Sequence, residues 1–188
     1  MGRGWVSVLV GLTLVVAGCS GSTSDQPKVL PPVVTQSASP SVSSTVAAGP
    51  VVVPSAAVPA TPQGAAAFVR FFFERLNETF RRADPELTRE LVDPACRTCA
   101  NFDFAVRRVR DAGNHVVGQV FLVISAEAAP PGQGFTLVDV FVDLPSTTEV
   151  NASGKIVDVS AKQSRLQYSV TLTRVANRWR VRAVKDAK

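Results

Sequence analysis

The residues of this chain best equipped for chemistry are the pair in Cys96-Arg97-Thr98-Cys99 and the lone histidine, His115. A Cys-x-x-Cys pair serves three chemistries. A closed zinc site needs four ligands, and Cys96, Cys99 and His115 supply only three. A redox dithiol is favoured where a helix start and a neighbouring Arg97 lower a thiol pKa. Such pairs usually follow a strand in a βαβ setting, whereas this one follows Asp93-Pro94. A structural disulfide is the third use, and it fits best if the chain is exported to oxidising surroundings. His115 has no G-x-S-x-G serine or other nucleophile motif beside it. Asp103, Asp139, Asp143 and Tyr168 are formally available as acid–base groups, but Asp139 and Asp143 alternate out of phase with Val138, Val140 and Val142. The sequence therefore assigns no catalytic, cofactor-binding or metal-ligating residue, and it calls for no cofactor. The net charge is +5, with arginines grouped at Arg107, Arg108 and Arg110 and again at Arg178, Arg180 and Arg182. These six are candidates for contact with an anionic surface, lipid or cell-wall polymer, although a solvated face is the simpler use of such runs.

The third cysteine, Cys19, closes Leu14-Val15-Val16-Ala17-Gly18-Cys19-Ser20. Upstream lie one charge, Arg3, and an apolar run from Trp5 to Val16. That run is too short for a span needing about 20 residues, so it reads as a signal segment. Val16-Ala17-Gly18-Cys19 resembles the lipobox of bacterial lipoproteins. The resemblance implies cleavage after residue 18 and attachment of diacylglycerol and palmitate-type acyl chains to Cys19. Two chains anchor stably because each buried methylene contributes about 0.8 kcal/mol. The expected location is the extracytoplasmic face of the cell membrane, lipid-anchored, where nucleic acid is not an expected partner.

Three stretches follow: a signal peptide at 1–18, a tether at 19–62 and a globular domain at 63–188. The tether is rich in Ser, Thr, Pro, Ala and Val, with only Asp25 and Lys28 charged, and is expected to be disordered. Roughly 40 flexible residues reach on the order of 35 Å.

To place Cys96 and Cys99, the domain needs helices first. Ala65, Val69, Phe72, Phe73, Leu76 and Phe80 form one stripe, so the spacing predicts a helix over 63–82. Asp84-Pro85 starts a short second helix to Val92, and a third is expected from Thr98 to Ala112, burying Phe102, Val106 and Val109. Beyond Asn114 the period becomes two. Strands are expected at 116–126, 135–143, 155–157, 166–173 and 179–183, with turns at Asn151-Ala152-Ser153-Gly154 and Ala176-Asn177. Helices followed by strands predict an α+β class, with the helices on one face of a curved antiparallel sheet of about four strands.

This order, ending in Asn177-Arg178-Trp179-Arg180-Val181-Arg182-Ala183-Val184, resembles the cone-shaped nuclear-transport-factor-2-like (cystatin-like) superfamily. More narrowly, the stretch from Gly64 through Phe102 with its Cys96–Cys99 segment resembles a family of actinobacterial lipoproteins carrying a domain of unknown function. The superfamily holds both enzymes and binding modules, so the fold alone does not choose. Its enzymes place Asp or His, sometimes with Tyr, inside the cone. With no such set evident, the expectation favours a non-catalytic binding or accessory module of the envelope, acting with a protein partner the sequence does not name. The alternative is a small-molecule isomerase or dehydratase using the cone cavity.

Overall fold

The computed structural model describes residues 51–130 and 134–187. Cys19, the signal segment and the tether up to residue 50 lie outside the described residues.

The Phe-rich stripe forms helix α1, Pro62–Arg82. Thr61 caps its start by accepting the Gly64 N–H at 3.1 Å, with Pro62 at the first position. Ala83 ends it in the left-handed region at φ 50°. Asp84 then caps a 3-10 segment, Pro85–Leu91, where a short second helix was expected. Helix α2 runs Arg97–Asp111, with Cys96 as its N-cap residue.

Seven strands follow: β1 (Asn114–Val117), β2 (Leu122–Ala128), β3 (Thr136–Leu144), β4 (Thr147–Asn151), β5 (Ile156–Ser160), β6 (Gln163–Val175) and β7 (Arg178–Asp186). They make an antiparallel four-stranded sheet, β2-β3-β6-β7, and a three-stranded one, β1-β4-β5. The class is α+β, with helices packed on the larger sheet. Register shifts between Val123 and Ser125, Val142 and Leu144, and Thr171 and Leu172 mark β-bulges, and bulges bend and twist the strands that carry them.

Alternation puts Val138, Val140, Val142, Val170, Leu172 and Val181 on the inner face, and the register shift on β7 that skips Arg182 returns Val184 to it; all are buried. They meet Phe68, Phe72, Phe73 and Leu76 of α1 in one core. Tyr168 packs at the margin of that core, and Asp139 alternates onto the opposite face.

The single strand expected over 116–126 is instead two strands of different sheets. Gly118 takes φ 100°, a conformation that glycine adopts without a side-chain clash, and the chain turns there. The smaller sheet was not foreseen because the apolar run Val116 to Ala126 reads as continuous. Periodicity cannot show a change of sheet.

The compact part also begins before residue 63. Val51 and Val53 pack against the core, Ala57 is buried in a 3-10 turn, Ser55–Ala57, and Val58 and Pro59 are hydrogen-bonded to Arg174 and Trp179 at the β6–β7 turn. This end of the stretch read as tether is thus part of the fold. Its apolar residues find partners that a composition count cannot see. Gly64 permits the contact, since a Cβ there would overlap the Pro59 carbonyl.

Candidate functional site

Cys96 and Cys99 are joined, with Cα atoms 5.2 Å apart. Closing so small a ring constrains the unfolded chain by roughly 2 kcal/mol. The bond sits at the start of α2, where the Cys99 N–H donates to Cys96 Sγ at 3.3 Å and Cys96 N–H donates to the Asp93 carbonyl at 2.9 Å. Thr98 Oγ1 donates to the Val184 carbonyl at 2.7 Å, fastening this turn to β7.

Both cysteines line a groove of about 420 Å³ between α1, the 3-10 segment and α2. Its apolar lining comes from Phe72, Leu76, Val92, Phe102 and Ala100. Charges border it in pairs: Arg89 donates to Glu86 at 2.9 Å, and Arg107 donates to Asp103 at 2.9 Å and approaches Glu86 at 4.0 Å. The hydrogen bond from each guanidinium to its carboxylate, and the attraction between them, hold both arginines above their usual pKa. The groove is therefore apolar within and nearly balanced in charge around its edge.

The space under the curved sheet is packed with rings. Phe73 lies 5.6 Å from Phe72, 5.3 Å from Phe121 and 6.5 Å from Tyr168, centroid to centroid. Phe121 also meets Phe102 at 5.6 Å and Phe80 at 6.4 Å. Tyr168 is half-buried, and burial first, then the Asp186 carboxylate, raises its pKa above the ordinary 10.0. A phenol raised on folding contributes stability that is complete below the unfolded pKa and lost as pH rises through the folded one. We expect the domain to lose stability above about pH 10. Because Tyr168 is the chain's single tyrosine, a phenolate absorbance titration reads it alone. A midpoint no higher in the folded protein than in urea would contradict this.

The other sequence-level candidates are dispersed. Asp103 borders the groove, Asp143 accepts the Arg165 N–H at 2.8 Å, and His115 is exposed on β1 opposite Val150. Among the described residues there is no group of three or more metal-ligating side chains, and no helix is long and apolar enough to cross a membrane. Of the α2 arginines, Arg107 is engaged by Asp103 and Arg110 by Asp111 at 3.2 Å, so that run carries less free charge than its spelling suggests. On β7, Arg178 and Arg182 are exposed and Arg180 half-exposed.

Arg178 lines a second hollow, of about 230 Å³, with Val51, Val53, Phe68, Glu90 and Trp179. Here the chain from the N-terminus joins the fold. Trp179 Nε1 donates to the Pro59 carbonyl at 3.1 Å, and Arg174 donates to the Val58 carbonyl at 2.9 Å while its guanidinium lies 4.8 Å from the Trp179 ring centroid. The sequence reading passed over this strap.

It also passed over Asn77. Its Oδ1 accepts the N–H groups of Val120 and Phe121 at 2.9 and 2.8 Å, and its Nδ2 donates to the Phe121 carbonyl at 2.8 Å. A signal existed: Asn77 is a polar residue four after Phe73 and three before Phe80, on the apolar stripe.

No protein-family model matches the chain, and no curated protein matches it. Solved structures similar to it include the intermembrane space region of the chloroplast protein ARC6, at 10% identity over 66% of this chain and 95% of that one, TM-score 0.49. Aln2 from a Streptomyces species is similar at 15% identity over 62% and 84% of the two chains, TM-score 0.42. A protein with a cystatin-like fold from Caulobacter vibrioides is similar at 12% identity over 64% and 87%, TM-score 0.39. Likeness at this level says nothing about activity.

Proposed function

We propose that this protein is a lipid-anchored, extracytoplasmic binding module of the cell envelope. Cys19 carries the lipid, and the start of β7 turns toward anionic headgroups or wall polymer. One observation carries the reading: Val51 and Val53, the described residues nearest Cys19 in sequence, line a hollow together with Arg178. A tether fixed there brings that end nearest the surface to which it is anchored. Arginines within a Debye length of anionic lipid contribute about 1 kcal/mol each. The module is read as binding rather than catalytic because aromatic rings fill the interior where a substrate of the alternative enzyme would sit.

The test begins in a bacterial host that processes lipoproteins. Wild type is expected in the detergent phase with a lipidated mature mass. Cys19→Ser is expected in the aqueous phase or as uncleaved precursor. Detergent partitioning of the variant at wild-type level would overturn the anchor. In the soluble Cys19→Ser protein, changing Arg178 and Arg182 to Glu is expected to weaken binding to phosphatidylglycerol vesicles tenfold or more, since about 1 kcal/mol per arginine is removed and then reversed in sign. Unchanged vesicle binding would remove the arginines from the proposal.

A further inference from the structure

We propose that the Cys96–Cys99 bond is exchangeable, and that it is attacked from the groove by a thiolate of a partner protein carrying a dithiol. This goes beyond the binding role and does not depend on it.

Three features of the site point this way. The bond lies at a groove rather than under a second layer of chain, and both cysteines line that groove beside the small, exposed Ala100. The two sulfur-bearing residues differ in access, Cys99 being 7% exposed and Cys96 2%. A donor already faces the sulfur of the more buried residue: the Cys99 N–H points at Cys96 Sγ at the N-terminus of the 15-residue helix α2. A thiolate placed there is stabilised by that donor and by the helix terminus. The lining carboxylates Glu86, Asp93 and Asp103 and the lining guanidiniums of Arg89 and Arg107 largely offset one another. The helix end is thus left to decide which sulfur leaves.

The chemistry follows from that asymmetry. The partner thiolate attacks Cys99 Sγ and forms a mixed disulfide. The electron pair of the Cys96–Cys99 bond departs on Cys96 Sγ as a thiolate, held by the Cys99 N–H. The partner's second thiol, deprotonated, attacks its own sulfur in the mixed disulfide and expels the Cys99 thiolate. The two thiolates take up the two protons that the partner's thiols gave up. The sum is protein disulfide plus partner dithiol giving protein dithiol plus partner disulfide, a transfer of two electrons and two protons. In reverse the same site oxidises. The apolar groove walls of Phe72, Leu76, Val92 and Phe102 would seat the residues flanking the partner cysteine.

The experiment uses the full chain with dithiothreitol as the dithiol, quenched with iodoacetamide and read by mass. The folded protein is expected to be reduced at least tenfold faster than it unfolds, with its circular dichroism unchanged. Ala100→Trp, which adds bulk at the groove and leaves both cysteines in place, is expected to slow reduction about tenfold, whereas both proteins react alike in urea. Ala100→Leu, a smaller change, serves if the tryptophan variant does not fold, and should slow the reaction in the same direction. Reduction no faster than unfolding would overturn the proposal, as would equal rates in the folded wild type and the Ala100 variant. Either result would make the bond a structural tie.

Discussion

Phe73→Ala is expected to cost the domain about 4 kcal/mol, the range for deleting a fully buried aromatic ring. Phe73 is 1% exposed and sits where three parts of the fold meet. Phe72 neighbours it on α1, Phe121 comes from the connection between β1 and β2, and Tyr168 comes from β6. No single neighbour can move into the vacated space without leaving another contact. The cavity should therefore persist, and the loss should lie well above that of a surface change. Urea unfolding measures the loss, and thermal unfolding should show a fall in melting temperature on the order of 15 °C. The result also bears on function. A loss below about 1 kcal/mol would mean the ring does not fill the interior, and would return weight to a substrate cavity beneath the sheet.

The second large effect is expected at Asn77, where Leu should cost about 3 kcal/mol despite its similar size. The amide makes three hydrogen bonds to the backbone of Val120 and Phe121, and Asn77 is 6% exposed. Leucine would leave two N–H groups and one carbonyl without partners in an apolar surround, each costing on the order of 1 kcal/mol. Asn77→Asp keeps the acceptor but has a donor only when protonated, so it should destabilise chiefly where the carboxylate is ionised. The check is thermal unfolding of both variants between pH 4 and 8. Near-wild-type stability for leucine would show that water, not Asn77, serves that connection. The burial also bears on Asn77-Glu78-Thr79 as a glycosylation signal, because a side chain committed to three internal bonds is not open to modification in the folded state.

These sites show what was legible beforehand. The Phe stripe of α1 and the Val alternation of β3 are local patterns, and each identified its element and its buried face. The Cys96–Cys99 spacing was likewise enough to suggest the bond. What escaped detection depends on partners distant in sequence. Asn77 meets Phe121 across 44 positions, and Trp179 meets Pro59 across 120. A polar residue in an apolar stripe signals that a partner exists without identifying it. The split at Gly118 was hidden for a related reason, since Val116 to Ala126 has the same hydrophobicity whether it serves one sheet or two. The arginine runs mislead oppositely: spelling counts charges, while Asp103 and Asp111 offset two of them through neighbours on the same helix.

The strap at Val58 and Pro59 has a mechanical consequence. Tension applied upstream of Val51 would reach the Arg174–Val58 and Trp179–Pro59 hydrogen bonds before the Thr61 cap of α1. Bonds loaded one after another peel at lower force than bonds loaded together. The strap would thus act as a fuse in series with the core. Its release would free roughly eleven residues and lengthen the connection by on the order of 35 Å before the load passed to α1. A pull from the N-terminal side would in this way be met first by letting out chain, and only then by unfolding.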